Sequence, residues 1–267
     1  MEKVFRLLKG NNKFFEYNGK PVVLMCATEH YGAVMNRPFD YVSYLDYCGE
    51  NGQNYTRLFL LFRELQTPMN PYSTCKPESP DYISPFTRTK EGNAGDGLGK
   101  YNLDKWNNEY FERLHGFMKK AIENDVIVEV TLFSNSYTNE LFSLLPMSPK
   151  SNINGVGPDN FQLYMTKKDE ELFKYQKEYV KKIVNELNEY PNFFFEICNE
   201  PVCFNPDLTT PDEVNEWQQS LIDYIKELES ALPVQHLIAV TECWKGFPGE
   251  ELFVGTDYSF NGLDADI

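Results

Sequence analysis

The sequence predicts an α/β fold built on a parallel sheet. Short apolar segments, too short to be helices, alternate along the chain with longer segments whose apolar residues recur at helical spacing. The segment from Phe193 to Cys198 is almost continuously apolar and rich in aromatics, which is typical of a strand buried on both faces. Successive strand–helix units of this kind indicate a single sheet covered by helices.

Five strands are predicted in chain order. They cover Val22–Ala27, Tyr55–Phe62, Val126–Leu132, the apolar run that ends in Asn199-Glu200-Pro201, and Leu237–Thr241. A turn at Tyr190-Pro191-Asn192 opens the fourth strand. Pro201 cannot donate to a sheet ladder, so that strand has to end at Asn199-Glu200-Pro201.

Four helices follow the first four strands. They are predicted from about Asp40, from Asp104, over 168–188 and from Thr210 to Ala231. Gly49 and Gly52 are expected to end the first of them. The last has the clearest start, because Thr210 can cap it, Pro211 suits its first position, and Glu213 completes a capping box.

Two long segments interrupt this alternation. Residues 63–100 are rich in Pro, Gly, Ser and Thr, and residues 134–167 contain a second run of turn formers. Each follows a strand and precedes a helix, so both belong to the end of the sheet where long loops shape a cleft. No linker or low-complexity segment divides residues 1–267, and a single domain is predicted.

Composition limits the partners and the compartment. The 267 residues carry a net charge of −15 without a basic stripe, which argues against nucleic acid and anionic membranes as partners. No apolar run is long enough to cross a membrane or to form a signal peptide, so the chain as given is expected to be cytoplasmic. A trimmed N-terminus would also fit a secreted or periplasmic protein. The six cysteines lack paired spacing and fit small buried side chains in a reducing compartment.

Motifs for nucleotides, metals and nucleophilic serine are missing from the sequence, and no cofactor is expected. There is no phosphate-binding glycine loop and no nucleophile-elbow motif. The histidines His30, His115 and His236 lie too far apart for metal-ligand spacing. A carboxylate at the end of a buried parallel strand, by contrast, occupies the position where α/β barrels place their chemistry. Glu200 is therefore the leading candidate for a catalytic residue, with a surface turn glutamate as the alternative.

Asn199-Glu200-Pro201, placed after a buried strand, resembles the fourth strand of the clan A glycoside hydrolases, the family 5 cellulase-like (β/α)8 barrels. The resemblance implies a TIM-type barrel of which about the first five to six units are present, so the chain is expected to be truncated at its C-terminus. It implies a carbohydrate substrate, hydrolysis of β-linked glycans or oligosaccharides with retention, and no cofactor. Oligomeric state is left open.

The resemblance also assigns roles to single residues. Glu200 would be the general acid and then the general base of a two-carboxylate mechanism, and Asn199 would bond the sugar 2-hydroxyl. In such barrels the nucleophile is a glutamate at the end of strand seven, which this sequence does not contain. Glu242, after strand five, does not match that position and is expected to be a cleft-lining or structural group, with a second catalytic carboxylate as the minor alternative.

Arg57 is a charged residue inside the apolar second strand. Burying it without a partner would be costly, so it needs a carboxylate nearby. The family resemblance gives it the role of the arginine that supports the catalytic carboxylates. An interior ion pair with Glu196 is the alternative, and both interpretations can hold together.

Several side chains beside the strand ends could bind sugar. His30 could bond hydroxyls, although a structural histidine fits equally well, and Tyr31 could stack on a pyranose ring. Trp244, directly after strand five, is the best candidate among the aromatics of the predicted cleft loops. The remaining aromatics of this group are Phe133, Tyr137, Phe204 and Tyr258. Strand three ends in Ser134-Asn135, without the histidine that the family often has there.

Two other functions stay open at this point. A catalytically inactive barrel could bind carbohydrate or act as a scaffold, using Trp244 and Tyr31 as stacking platforms. A barrel enzyme of another kind could use Glu200 to abstract a proton. Turnover of a glycoside, and its dependence on divalent metal, would separate these three alternatives.

Overall fold

The computed structural model describes residues 4–26, 32–63, 80–241, 243–245 and 266–267. Its helices are α1 (Tyr41–Glu50), α2 (Asn108–Glu123), α3 (Asn139–Phe142), α4 (Glu170–Leu187) and α5 (Pro211–Glu229), with a 3-10 turn at Phe161–Leu163. Its strands are β1 (Arg6–Leu7), β2 (Phe15–Tyr17), β3 (Lys20–Val22), β4 (Tyr55–Phe59), β5 (Phe86–Arg88), β6 (Tyr101–Trp106), β7 (Ile127–Ser134), β8 (Phe193–Asn199), β9 (Val202–Cys203), β10 (Ile238–Ala239) and β11 (Trp244–Lys245).

The central sheet is parallel, as the sequence predicts. Its order is β10-β8-β7-β4, so each strand pairs with the strand that precedes it in the βα series. The predicted second, third, fourth and fifth strands are all present, with shorter bounds for the second and fifth. One face of this sheet packs against α2, α4 and α5 through a large apolar layer that includes Leu132, Tyr179 and Trp217. The other face is the interior of the strand array.

The N-terminal segment differs from the prediction. Val22–Ala27 was expected to be the first strand of the parallel sheet, but β3 ends at Val22 and belongs to an antiparallel sheet with β1 and β2. The reason is the turn Asn18-Gly19, whose residues both have positive φ and whose geometry favours a two-residue hairpin. Ala27 lies outside the described residues.

This small antiparallel sheet packs against one end of the parallel sheet. Phe5 and Tyr17 are buried together with Ile127, Phe194 and Ala239 from the strands. The Phe5 ring lies 5.5 Å from the Phe194 ring, in a stacked arrangement. The amide of Phe5 also donates to the carbonyl of Pro191, directly before β8. The N-terminal sheet therefore covers the end of the strand array at which β8 begins, opposite the end at which Glu200 follows it.

Capping side chains begin two of the helices. The Thr210 hydroxyl accepts from the amide of Glu213, and the Glu213 carboxylate accepts from the amide of Thr210, so the predicted capping box of α5 is confirmed. Asp40 caps α1 in the same way by accepting from Ser43. The predicted helix start at Asp104 is wrong, because that residue lies in β6 and α2 begins at Asn108.

The described part of 63–100 contains regular structure. β5 and β6 form a hairpin, and the Asp96 carboxylate bonds the guanidinium groups of both Arg63 and Arg88. The side chains of Arg63 and Asp96 are fully buried. A buried carboxylate held by two arginines fixes the position of this segment beside the sheet.

Among the described residues, none of the helices combines the length and apolarity that a bilayer crossing requires.

Candidate active site at the carboxyl ends of the strands

Three adjacent strands bring charged side chains together in the strand interior. The Arg57 guanidinium on β4 forms three bonds to Glu196 on β8. Nη2 lies 2.5 Å from Oε1 and 2.6 Å from Oε2, and Nε lies 3.1 Å from Oε2. Glu129 on β7 lies 3.5 Å from the Arg57 Nε, and the Thr131 hydroxyl donates to Glu196 at 2.6 Å. Arg57 therefore has the interior ion pair with Glu196 that the sequence allows.

The ion pair keeps Arg57 charged. Burial works to lower the pKa of Arg57, but the carboxylates of Glu196 and Glu129 outweigh it and raise that pKa above its ordinary value. Glu196 is itself almost fully buried. Because the arginine neutralises the carboxylates and takes up their hydrogen bonds, the three side chains form a fixed ion-pair cluster beneath the residues at the strand ends.

Asn199, the last residue of β8, connects this ion-pair cluster to the residues at the surface. Its Oδ1 accepts from the Arg57 Nη2 at 3.0 Å. Its Nδ2 donates to the Ser134 hydroxyl and to the Tyr137 hydroxyl, both at 3.2 Å. Both amide hydrogens of Asn199 are thus taken by protein groups in this arrangement.

Glu200 follows β8 and is exposed to solvent. Its backbone has φ +48°, a left-handed conformation that a residue with a side chain seldom adopts. The Tyr137 hydroxyl donates to the Glu200 Oε2. The left-handed backbone interrupts the extended path of β8 at Glu200, and the bond from Tyr137 holds the carboxylate.

Sequence reasoning missed Asn135 as a part of the site, and it missed the bond from Tyr137 to Glu200. The fully buried Asn135 accepts from the Tyr137 amide at 2.9 Å and donates to the Glu200 carbonyl at 3.0 Å. Tyr137 was expected only to stack on sugar. Its position two residues after a strand-end asparagine was the available signal, since asparagine side chains often bond the backbone two residues further on.

The other predicted binding residues are placed as follows. His30 and Tyr31 lie outside the described residues, as do Glu242 and the side chain of Trp244, whose backbone forms part of β11. Phe133 was expected near the cleft but is buried in the core, where it packs edge-on against Tyr179 and Trp217. Phe133 faces the helices and therefore cannot contact a ligand at the strand ends.

Two thiols lie beside this site. The Sγ atoms of Cys203 in β9 and Cys243, next to β11, are 3.1 Å apart, and both residues are buried. A hydrogen bond from the Cys243 thiol lowers the pKa of Cys203. Within the described ranges, no group of three or more potential metal-binding side chains comes together.

Comparison with known proteins identifies relatives of this arrangement. The model of the cellulase family, glycosyl hydrolase family 5, matches residues 81–258, more than half of the chain. A search of curated protein sequences finds no match.

Solved structures show the same fold at low sequence identity. They include a family 5 mannosidase from Rhizomucor miehei (13% identity, TM-score 0.56, 90% of this chain and 55% of that one). An endo-1,4-β-mannanase from the same organism aligns with 16% identity, TM-score 0.54, over 85% of this chain and 58% of that one. The β-mannanase of the blue mussel Mytilus edulis aligns with 13% identity, TM-score 0.54, over 90% of this chain and 63% of that one. The chain thus spans less than two thirds of each.

Proposed function

Because this chain belongs to the cellulase family, glycosyl hydrolase family 5, with an α/β fold of the TIM-barrel type, we propose that it hydrolyses O-glycosidic bonds of β-linked glycans or oligosaccharides, with Glu200 as the acid/base. The observation that supports this proposal best is the placement of Glu200. It is an exposed carboxylate at the carboxyl end of a buried parallel strand, with its backbone in a strained conformation and its side chain held by Tyr137.

In the proposed reaction Glu200 acts twice. As a carboxylic acid it gives its proton to the glycosidic oxygen while the bond from that oxygen to the anomeric carbon breaks and a second carboxylate attacks that carbon. As a carboxylate it then takes a proton from water, which restores the carboxylic acid. The water oxygen attacks the anomeric carbon and displaces the second carboxylate. The anomeric configuration is inverted twice and so retained.

The second carboxylate is a different group from those described beneath Glu200. Glu196 and Glu129 are bonded to Arg57 and lie in the strand interior, so neither can reach a sugar above the strand ends. Arg57 and Asn199 act as substrate-binding residues in this proposal. Asn199 can bond a sugar hydroxyl if the sugar takes the place of Ser134, or through a remaining lone pair of its oxygen.

Carbohydrate is the proposed partner, and the cytoplasm is the proposed location. We propose His30, Tyr31 and Trp244 as further sugar-binding residues. The rival function is a catalytically inactive barrel that binds carbohydrate through the same surface. Turnover separates the two.

The test uses the full-length protein and its Glu200→Gln variant. Polysaccharides with β-1,4 linkages, with mannan first because the similar solved structures include mannanases, are assayed together with aryl glycosides of the same sugar. Loss of the acid/base is expected to slow cleavage of unactivated bonds by about 10²- to 10⁴-fold. Activated aryl glycosides should lose less, because their leaving groups need little protonation.

Two further measurements complete this test. Azide, which attacks without help from a base, should restore turnover of an activated glycoside by Glu200→Gln and yield a glycosyl azide. Glu216→Gln, on the exposed face of α5, is the control and should keep full activity. Undiminished hydrolysis of mannan by Glu200→Gln would refute the assignment, and sugar binding without any turnover in the wild type would favour the inactive barrel.

A further inference from the structure

We propose that Tyr137 is a positioning residue that fixes which oxygen of Glu200 carries the catalytic proton, through a directed hydrogen-bond chain from Arg57 by way of Asn199. This inference rests on the proposed function of Glu200. It assigns a role to a loop tyrosine that the family resemblance does not mention.

The direction of the chain begins with Arg57. A guanidinium can only donate hydrogen bonds, so the Asn199 atom that lies 3.0 Å from its Nη2 has to be the amide oxygen. The ion pair with Glu196 holds the guanidinium in place. The orientation of the Asn199 amide is therefore set by chemistry and does not depend on how its two terminal atoms are assigned.

The amide then directs Tyr137. Since the oxygen of Asn199 faces Arg57, its NH2 group faces the hydroxyls of Tyr137 and Ser134. The Tyr137 oxygen accepts one of these hydrogens, which leaves its own hydrogen to be donated elsewhere. The acceptor is the Oε2 of Glu200.

Tyr137 keeps that hydrogen. Burial, followed by the neighbouring Glu200 carboxylate, raises the pKa of Tyr137 well above its ordinary value. Asn135 holds the backbone of Tyr137 and that of Glu200 with one side chain, so the distance between the two residues is fixed from both ends. The phenol thus donates to Oε2 throughout the reaction.

The consequence concerns the other carboxyl oxygen. Oε2 already accepts a hydrogen from Tyr137, so when Glu200 is protonated its own hydrogen sits on Oε1. Oε1 is then the atom that protonates the glycosidic oxygen and later takes the proton from water. Without the phenol the proton could reside on either oxygen, and the carboxyl group could rotate away from the substrate.

The experiment compares Tyr137→Phe with wild type on two glycosides of one sugar, one with an activated and one with an unactivated leaving group. The variant removes only the hydroxyl. On the unactivated glycoside kcat/KM should fall by about 10- to 100-fold, the effect of one hydrogen bond to a charged group, whereas the activated glycoside should lose only a few-fold. KM should change little, because the hydroxyl does not bind the sugar.

A matched control and a folding control accompany it. Tyr175→Phe removes another tyrosine hydroxyl that donates to a carboxylate, that of Asp104 at 3.0 Å, away from Glu200, and should leave both rates unchanged. Circular dichroism and the unfolding midpoint should show that Tyr137→Phe is folded. In Tyr137→His and Tyr137→Asn, recovery of part of the lost rate would support the role of a hydrogen-bond donor at this position, and a gain above the wild type would overturn it.

Each contrary result has a distinct meaning. Equal losses on both glycosides, unchanged activity or a gain in activity for Tyr137→Phe would overturn the inference, and a gain would identify the phenol as a group that blocks the site. If Glu200→Gln shows the acid/base signature while Tyr137→Phe is neutral, this inference fails and the proposed function stands. If Glu200→Gln is active, or the wild type turns over no glycoside, the proposed function fails and the inference falls with it.

Discussion

Tyr137 and Glu200 both have left-handed backbones, at φ +62° and +48°, and the side chain of Asn135 bonds the backbone of each. The two residues come from loops after neighbouring strands, β7 and β8, and their side chains bond one another. A conformation of this kind costs free energy at each position and persists because the surrounding bonds enforce it. The strain is located at the carboxylate to which we assign the chemistry.

The strain at Glu200 predicts an unusual ranking of substitutions. Glycine adopts the left-handed region without strain, whereas alanine is destabilised there by about 1–2 kcal/mol. The greater conformational freedom of glycine in the unfolded chain offsets part of this difference. Glu200→Gly is therefore expected to be about 0.5–1 kcal/mol more stable than Glu200→Ala. Urea unfolding of both variants measures the difference.

A helical position provides the control for that ranking. In the middle of α5, Glu216→Gly should be about 1 kcal/mol less stable than Glu216→Ala, because glycine is a poor helix former. The order of glycine and alanine thus reverses between the two sites. The same order at both positions would show that the backbone at Glu200 is not strained.

Arg57→Ala should destabilise the protein strongly. The substitution leaves the buried Glu196 and its neighbour Glu129 without their shared cation, which for a buried ion pair costs about 3–5 kcal/mol. Equilibrium unfolding in urea measures it. Arg37→Ala removes an ion pair with Glu109 in which both side chains are exposed, and should cost less than about 1 kcal/mol. Similar losses in the two variants would contradict the interior role of Arg57.

Cys203 and Cys243 should join when the protein is treated with a low-molecular-weight disulfide such as oxidised glutathione. The Cys203 thiolate attacks that disulfide and releases one thiol, and Cys243 then displaces the second thiol to leave an intramolecular disulfide. The lowered pKa of Cys203 favours the first step. Peptide mapping should locate the link, and the two linked peptides should together weigh two hydrogens less than the reduced pair.

Cys203→Ser is the control for this oxidation and should not form the link. A mixed disulfide that persists at Cys203 or Cys243, or a link from either to another cysteine, would contradict the predicted pairing; a mixed disulfide at the exposed Cys26 would not. Reduction should reverse the change.

Alkaline pH should unfold the protein as its buried tyrosines ionise. Burial is the largest cause that raises the pKa of Tyr17, Tyr101 and Tyr190 to about 12, from 10.0. Because the folded pKa is the higher one, the stabilisation is complete below pH 10 and is lost as pH rises toward 12. Tyrosinate absorbance and circular dichroism should change together. Tyrosinate formed at these three buried positions within a still native protein would contradict this expectation.

Much of the parallel sheet could be predicted because its signals are local. The capping box at Thr210 and the apolar strand before Asn199 depend on residues within a few positions of each other. The Arg57–Glu196 pair could be anticipated because a charge in a buried strand needs a partner and few candidates face it. Such arguments identify the interior of the site.

The arrangement at the mouth of the site depends on contacts between segments far apart in sequence. Tyr137 reaches Glu200 only because both backbones are left-handed, and Asn135 enforces this across 65 positions. The sequence of these loops does not by itself predict a left-handed backbone at Tyr137 or Glu200. At the other end of the molecule, the turn Asn18-Gly19 was a clear hairpin signal, and reading it as a simple turn before a parallel strand caused the error at Val22.

The order of the parallel sheet has a consequence for how the chain is made. Since β4, β7, β8 and β10 lie side by side in the order in which they occur, each strand that leaves the ribosome finds its docking edge already formed by the one before. None of these four strands has to be inserted between two that are already paired. Backbone bonds also join residues 266–267 to Ile238 and Val240, at the edge that β10 leaves open. Assembly can therefore keep pace with synthesis, while the newest edge stays open to wrong partners until its successor arrives.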